Sequence, residues 1–211
     1  RVSRSGVIAL AGNQRYAVAA NTFSGTASVV DIANKAIVAE FPVGADPQAL
    51  VVAPDQNWMA VSARGAGTVS LIDLRTLALI GTIEVGVWPW GVATDGATLY
   101  VALEGEDAMA EIDVASRRVL RQMPVPDAPA GLALWGQFLY LTHFRSGALS
   151  LLYVPTGEVI STVMGTPDSG LSPSLWLDPF EGLVYAPATR ANADNPILTF
   201  DTTAFPVVNV F

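Results

Sequence analysis

Pro47-Gln48-Ala49-Leu50-Val51-Val52-Ala53, then Pro54-Asp55-Gln56-Asn57, then Trp58-Met59-Ala60-Val61-Ser62-Ala63, is the stretch that decides the fold. It reads as an apolar strand, a tight turn built from residues that accept turn geometry, and a second strand. The proline-led opening returns as Pro89-Trp90-Gly91-Val92, Pro129-Ala130-Gly131-Leu132 and Pro173-Ser174-Leu175-Trp176, with the prolines 42, 40 and 44 residues apart. A second marker runs in phase with it. Strands end at Asp31, Asp73, Asp113 and, after a longer insertion, Asp201, with Tyr153 in the equivalent place between the last two. A period near forty residues with several short strands in each unit predicts a repeat architecture, and an all-β propeller of four-stranded antiparallel blades fits it.

Laid over one another, the units give strands at 49–53, 58–63, 68–73 and 79–85 in the second, and at 91–94, 98–103, 108–113 and 119–125 in the third. The fourth matches at 131–134, 137–143, 148–153 and 159–164, the first at 6–10, 15–21, 26–31 and 37–43, and the fifth at 175–177, 182–188, 197–201 and 207–211. Five repeats result, about 6–47, 48–89, 90–129, 130–173 and 174–211, within one domain spanning 1–211. Inner strands are apolar or small, as a strand covered on both faces requires, and outer strands carry the charges.

Composition narrows the function classes. The 211 residues are 51% hydrophobic, enough for a sizeable core, yet Gly, Pro, Asp or Asn interrupts every apolar run short of membrane-spanning length. A net charge of −8 speaks against a nucleic acid partner, which needs clustered Lys and Arg. Only Arg117, Arg118 and Arg121 cluster, and they read as solvated decoration of an outer strand. The absence of cysteine removes disulfides, thiolate zinc sites, covalent haem attachment and cysteine nucleophiles. The chain opens at Arg1 without an initiator Met or a signal peptide, so a processed leader or an excerpt of something longer is expected.

Ala17-Val18-Ala19-Ala20-Asn21 leading through Gly25-Thr26-Ala27-Ser28-Val29-Val30-Asp31, and Gly67-Thr68-Val69-Ser70-Leu71-Ile72-Asp73, resemble the signature of the YVTN-type β-propeller repeat family. The Pro-x-Gly motif and the Pro54-Asp55 turn match that family too, and the resemblance covers about residues 6–211. It implies a mostly seven-bladed ring and an extracytoplasmic setting in bacteria or archaea: periplasmic, secreted or cell-surface. Five legible units favour a portion of a larger ring over a true five-bladed one or one completed by another chain.

Strand parity puts the loops joining strands two and three (22–25, 64–67, 104–107, 144–147 and 189–196) on one face with the links between blades (44–48, 86–90, 126–130 and 165–174). Binding residues concentrate on such loops. From them we single out Asp46, Arg64, Trp88, Trp90, His143 and Arg145 as top-face candidates. Two indoles flanking Pro89 suit stacking on a ligand or anchoring a partner, with Trp90 also fit to plug the channel by packing. His143, the sole histidine, stands where the signature usually has Asn; it reads either as a general base or metal ligand beside Arg145, or as a side chain capping the loop in place of Asn. Its own loop offers no carboxylates, which favours the cap. Glu104, Glu106 and Asp107 form an acidic tip, a weak candidate for a hard cation because alternating ligand spacing is missing. The long loop 189–196 is a further binding candidate.

No Gly-x-Ser-x-Gly, phosphate-cradling loop or histidine pair is present. The leading expectation is therefore a non-catalytic scaffold of the cell envelope, without cofactor, presenting its top face to a protein or polysaccharide partner. The resemblance implies two alternatives. One is a lactonase-like hydrolase or a lyase with its site in the central channel, and the other is a subunit of a larger envelope or redox assembly.

Overall fold

The computed structural model describes residues 3–165, 169–170, 172–178, 180–191 and 204–211. They are all strand and turn, and form five antiparallel sheets of four strands arranged as a five-bladed β-propeller. A short β1 (Ser3–Arg4) precedes the first blade, which comprises β2 (Ile8–Ala11), β3 (Tyr16–Asn21), β4 (Thr26–Asp31) and β5 (Ala36–Pro42). The second holds β6 (Pro47–Val52), β7 (Trp58–Ala63), β8 (Thr68–Asp73) and β9 (Ala78–Glu84). The third holds β10 (Pro89–Thr94), β11 (Thr98–Leu103), β12 (Ala108–Asp113) and β13 (Arg118–Pro124), and the fourth β14 (Pro129–Trp135), β15 (Phe138–His143), β16 (Leu149–Tyr153) and β17 (Glu158–Val163). The last comprises β18 (Ser169–Gly170), β19 (Trp176–Asp178), β20 (Leu183–Ala191) and β21 (Ala204–Val210). No helix among the described residues is long and apolar enough to cross a membrane.

Each blade packs face to face on the next, because alternating side chains leave both faces of a strand apolar. Ala11, Val18 and Val29 meet Leu50, Met59 and Val61 between blades one and two. Val51, Val69 and Leu71 meet Val92, Val101 and Ala110 between two and three. Ala93, Tyr100 and Met109 meet Leu132, Leu139 and Leu141 between three and four, and Ala133 and Leu149 meet Leu175, Leu177 and Val184 between four and five.

The inner strands of blades two to four begin at the proline itself, and the register shifts between Pro47 and Ala49, Pro89 and Val92, and Pro129 and Leu132. An innermost strand has a free edge toward the axis, so a residue without an N–H is tolerated there. The in-phase aspartates also have a local reason. Asp31, Asp73 and Asp113 each accept a hydrogen bond from the amide three residues on, at 2.9, 3.0 and 2.6 Å, closing the turn into the outer strand. The Arg75 guanidinium, followed by the Thr76 amide, holds the Asp73 carboxyl down to about 2.

Three features depart from the sequence reading. In the fifth blade β21, expected as the fourth strand, pairs directly with β20, while the expected third strand 197–201, with its Asp201 marker, lies outside the described residues. The Arg117 and Arg121 side chains do more than decorate: Arg117 donates to the Ile80 carbonyl of the preceding blade at 2.9 Å, and Arg121 to the Val154 carbonyl of the following blade at 2.5 Å. Finally, β1 adds to the inner edge of β14, pairing Ser3 with Leu134 and Arg4 with Ala133.

Candidate functional site

The expected sharing of a face by loops and links is built from backbone. In blades two to four the residue after the second strand donates its N–H to the carbonyl of the residue before the link proline: Arg64 to Asp46 at 2.8 Å, Glu104 to Trp88 at 3.0 Å and Phe144 to Ala128 at 2.8 Å. Asp46, Trp88 and Ala128 all sit in the left-handed region, with φ of 56°, 54° and 47°. Asp is often found there; a bulky indole is an outlier.

At the rim of blades two and three the side chains converge. The Arg64 guanidinium lies 4.5 Å from the ring centre of Trp88 and 5.5 Å from that of Trp90. Its Nε donates to Glu104 Oε2 at 2.8 Å, and its Nη1 stands 3.8 Å from Asp46 Oδ2. Glu104 is buried, so this pair is well shielded on the carboxylate side. Gln48 donates to Asp46 at 2.6 Å. Trp90 is half-buried, packs on the cluster between blades two and three, and meets the Phe144 ring at 4.9 Å, so it acts as packing. Trp88 instead remains 44% exposed above the arginine. The arrangement is an indole platform stiffened by a cation from below, suited to contact area with little side-chain motion.

The three carboxylates of the acidic tip turn to three different partners. Glu104 takes Arg64, Glu106 accepts from the Val87 amide at 2.6 Å and from Gln122 at 3.1 Å, and Asp107 accepts from the Ala128 amide at 2.8 Å. Among the described residues no three His, Cys, Asp or Glu side chains gather as a metal site.

His143 is fully buried, with Nδ1 2.7 Å from the Asp127 carbonyl and Nε2 2.7 Å from Ser150 Oγ. Ser150 in turn pairs with Thr162 at 2.8 Å. In the first blade Asn21 occupies the same place and donates to Ser28 Oγ at 2.6 Å. The histidine thus takes the asparagine's role, and burial pushes its pKa down, keeping it neutral. Arg145 pairs with Asp127 at 3.5 Å, at a different part of the rim from Trp88. Residues 192–196 of the long loop lie outside the described residues.

Residues 3–6 run along the inner strands of blades two to four. Ser3 Oγ accepts from the Thr94 amide, Ser5 Oγ exchanges hydrogen bonds with the backbone of Leu132, and Gly6 pairs with Leu50 in both directions. One segment therefore satisfies the free inner edges of three blades.

Sequence reading put these loops and links on one face, as the structure does, but missed Phe144 and the pairing of Arg64 with Glu104. The signal was there: Thr22, Arg64, Glu104 and Phe144 share one position in successive units, and opposite charges one period apart meet across adjacent blades.

No protein-family model and no curated protein matches the chain. Solved structures do. A chain of hydrazine synthase from Kuenenia stuttgartiensis superposes over 96% of this chain at 19% identity and a TM-score of 0.83. The dihydro-heme d1 dehydrogenase NirN, in complex with DHE, matches 89% at 18% identity and a TM-score of 0.64, and a chain of the mitotic checkpoint complex 89% at 16% and 0.69. The chain spans 61%, 42% and 59% of those chains, respectively. The likeness is one of propeller fold.

Proposed function

We propose that the protein is a non-catalytic β-propeller whose rim at blades two and three, centred on Trp88, docks a protein partner within a larger assembly. The observation that carries this reading is the indole at a left-handed backbone position where the sibling link places Asp46. Such a conformation costs a bulky residue of order 1 kcal/mol. Trp88 still leaves 44% of its surface open to solvent, and Arg64, Asp46 and Glu104 hold it in place. A partner that covers the indole supplies the missing burial.

The buried, neutral His143 supports a binding role over general-base chemistry at that residue. The propeller neighbours in hydrazine synthase and in the mitotic checkpoint complex support a protein, rather than a polysaccharide, as partner. Kinship with YVTN-type repeats and a place in the cell envelope belong to the same proposal, and rest on the sequence resemblance.

The test is size-exclusion chromatography with light scattering on the protein purified from its native source, compared with Trp88→Asp. The native protein is expected to run in a complex, and the variant to be released from it with an affinity loss of about 30-fold or more. Co-purification unchanged by Trp88→Asp and by Arg64→Ala overturns the proposal.

A further inference from the structure

A cleft of about 720 Å³ lies where the inner strands of blades two, three and five begin, beside the segment leading into blade one. One repeat position builds much of it. Gln48, Trp90 and Ser174 each follow a link proline, and all three line the cleft. The fifth blade adds Trp176 and Tyr185, paired in register with ring centres 5.3 Å apart and planes inclined by 44°. The approach to the first blade adds Val7 and Ile8, which are 57% and 65% exposed, and Trp176 is itself 42% exposed. Trp88 of the docking rim is not among the described residues that line the cleft.

The lining decides what fits. None of the described residues around the cleft carries a charge, so an ion entering it would give up water and meet no counter-charge. Three aromatic side chains, Trp90, Trp176 and Tyr185, offer ring faces and edges to another ring. Polar groups are few and neutral. Gln48 gives its amide Nε2 to Asp46 at 2.6 Å, which leaves its Oε1 to act as an acceptor, and Ser174 and Tyr185 contribute hydroxyls. A mostly apolar cleft of this volume with a few neutral hydrogen-bonding groups suits a small organic molecule.

We infer that the cleft binds an uncharged, ring-bearing small molecule that carries a hydroxyl or carbonyl group. Its ring is covered by the aromatic side chains, and its polar group is met by the neutral donors and acceptors of Gln48, Ser174 and Tyr185. Binding removes from water the apolar surface of Val7, Ile8 and Trp176 that the fold leaves open.

The test uses two fluorescent probes that share one ring skeleton and differ in charge. Neutral N-phenylnaphthylamine is expected to bind the 211-residue chain saturably, one molecule per chain, and anilinonaphthalene sulfonate at least about 10-fold more weakly. Naphthol should displace the neutral probe at lower concentration than naphthalene does, since only naphthol has a hydroxyl for the polar groups. Trp176→Ala, which shortens an exposed side chain, and Val7→Trp, which fills the cleft from its open side, are each expected to weaken the neutral probe by about 10-fold or more. Trp135→Ala, at an exposed indole elsewhere on the molecule, should leave its affinity unchanged. No saturable binding, equal affinity for the two probes, naphthalene competing as well as naphthol, or affinity unaffected by both Trp176→Ala and Val7→Trp overturns the inference. One probe molecule per two chains assigns the open faces to a second copy and overturns it too.

Discussion

The rim between blades two and three and the rim between three and four share one backbone and differ in every side chain that matters. Both carry the amide-to-carbonyl bond across the loop and the left-handed residue before proline. At the first rim these positions hold Arg64, Glu104 and Trp88, a charged pair beneath an exposed ring; at the second they hold Phe144 and Ala128, and Phe144 turns inward onto Trp90. A repeat scaffold thus fixes where a side chain starts, and the identity of that side chain decides whether the place packs or recognises.

The largest expected effect tests the scaffold half of that comparison. A methyl added at Gly91 would stand 2.1 Å from the Ala130 carbonyl oxygen of the next blade, whereas Ala49 already carries one at the equivalent position. Gly91→Ala is expected to cost about 3 kcal/mol in urea unfolding, while Ala49→Gly costs roughly 1 kcal/mol or less. Equal costs would break the claim that the junctions differ in closeness of approach.

Next in size is His143. Replacement by Leu leaves the Asp127 carbonyl without its ring partner and is expected to cost about 2 kcal/mol; replacement by Asn restores the Ser150 bond seen with Asn21 and should recover about half of that. The pH dependence has a definite sign. Burial lowers the folded pKa beneath the ordinary 6.5, so the stability is present above about 6.5 and declines as pH falls, because only the unfolded chain takes up the proton. His143→Asn should flatten that part of the profile, and a profile unchanged between pH 7 and 5 would contradict the assignment.

Trp88→Asp sharpens the recognition half. By relieving a left-handed indole it should leave thermal stability unchanged or raise it by up to about 1 kcal/mol, even as it weakens partner binding. A loss above 1 kcal/mol would make Trp88 a packing residue like Trp90.

The smallest effect concerns the aspartate turns shared by the first three blades. Because the Asp73 carboxyl is held at about 2, its contribution is present above the ordinary 3.8 and is lost as pH falls toward 2. Asp73→Asn should reduce the acid sensitivity of unfolding in that window alone, as followed by circular dichroism.

Blade rhythm was legible because strand, turn and strand are decided within a few residues. The strands 58–63, 68–73, 98–103 and 108–113 appear in the structure at those bounds. Ends beside the prolines were harder to place, since pairing at Pro47, Pro89 and Pro129 depends on a bulge against the neighbouring strand. For the site, the rim loops and Trp88 could be named from sequence, and so could the capping role of His143. Arg64 and Glu104, forty residues apart, meet only because adjacent blades bring one period into register.

The sequence by itself determined the repeat, the number of blades formed, the turn aspartates and the face on which the loops gather, because each follows from local patterning of apolar, turn and charged residues. Only the tertiary structure decided which rim residues pack and which stay exposed, that residues 3–6 bond to the inner strands of three blades, and that the faces of Ile8 and Val208 stand open. Those outcomes depend on which blade stands beside which, and burial is a property of neighbours that no single repeat contains.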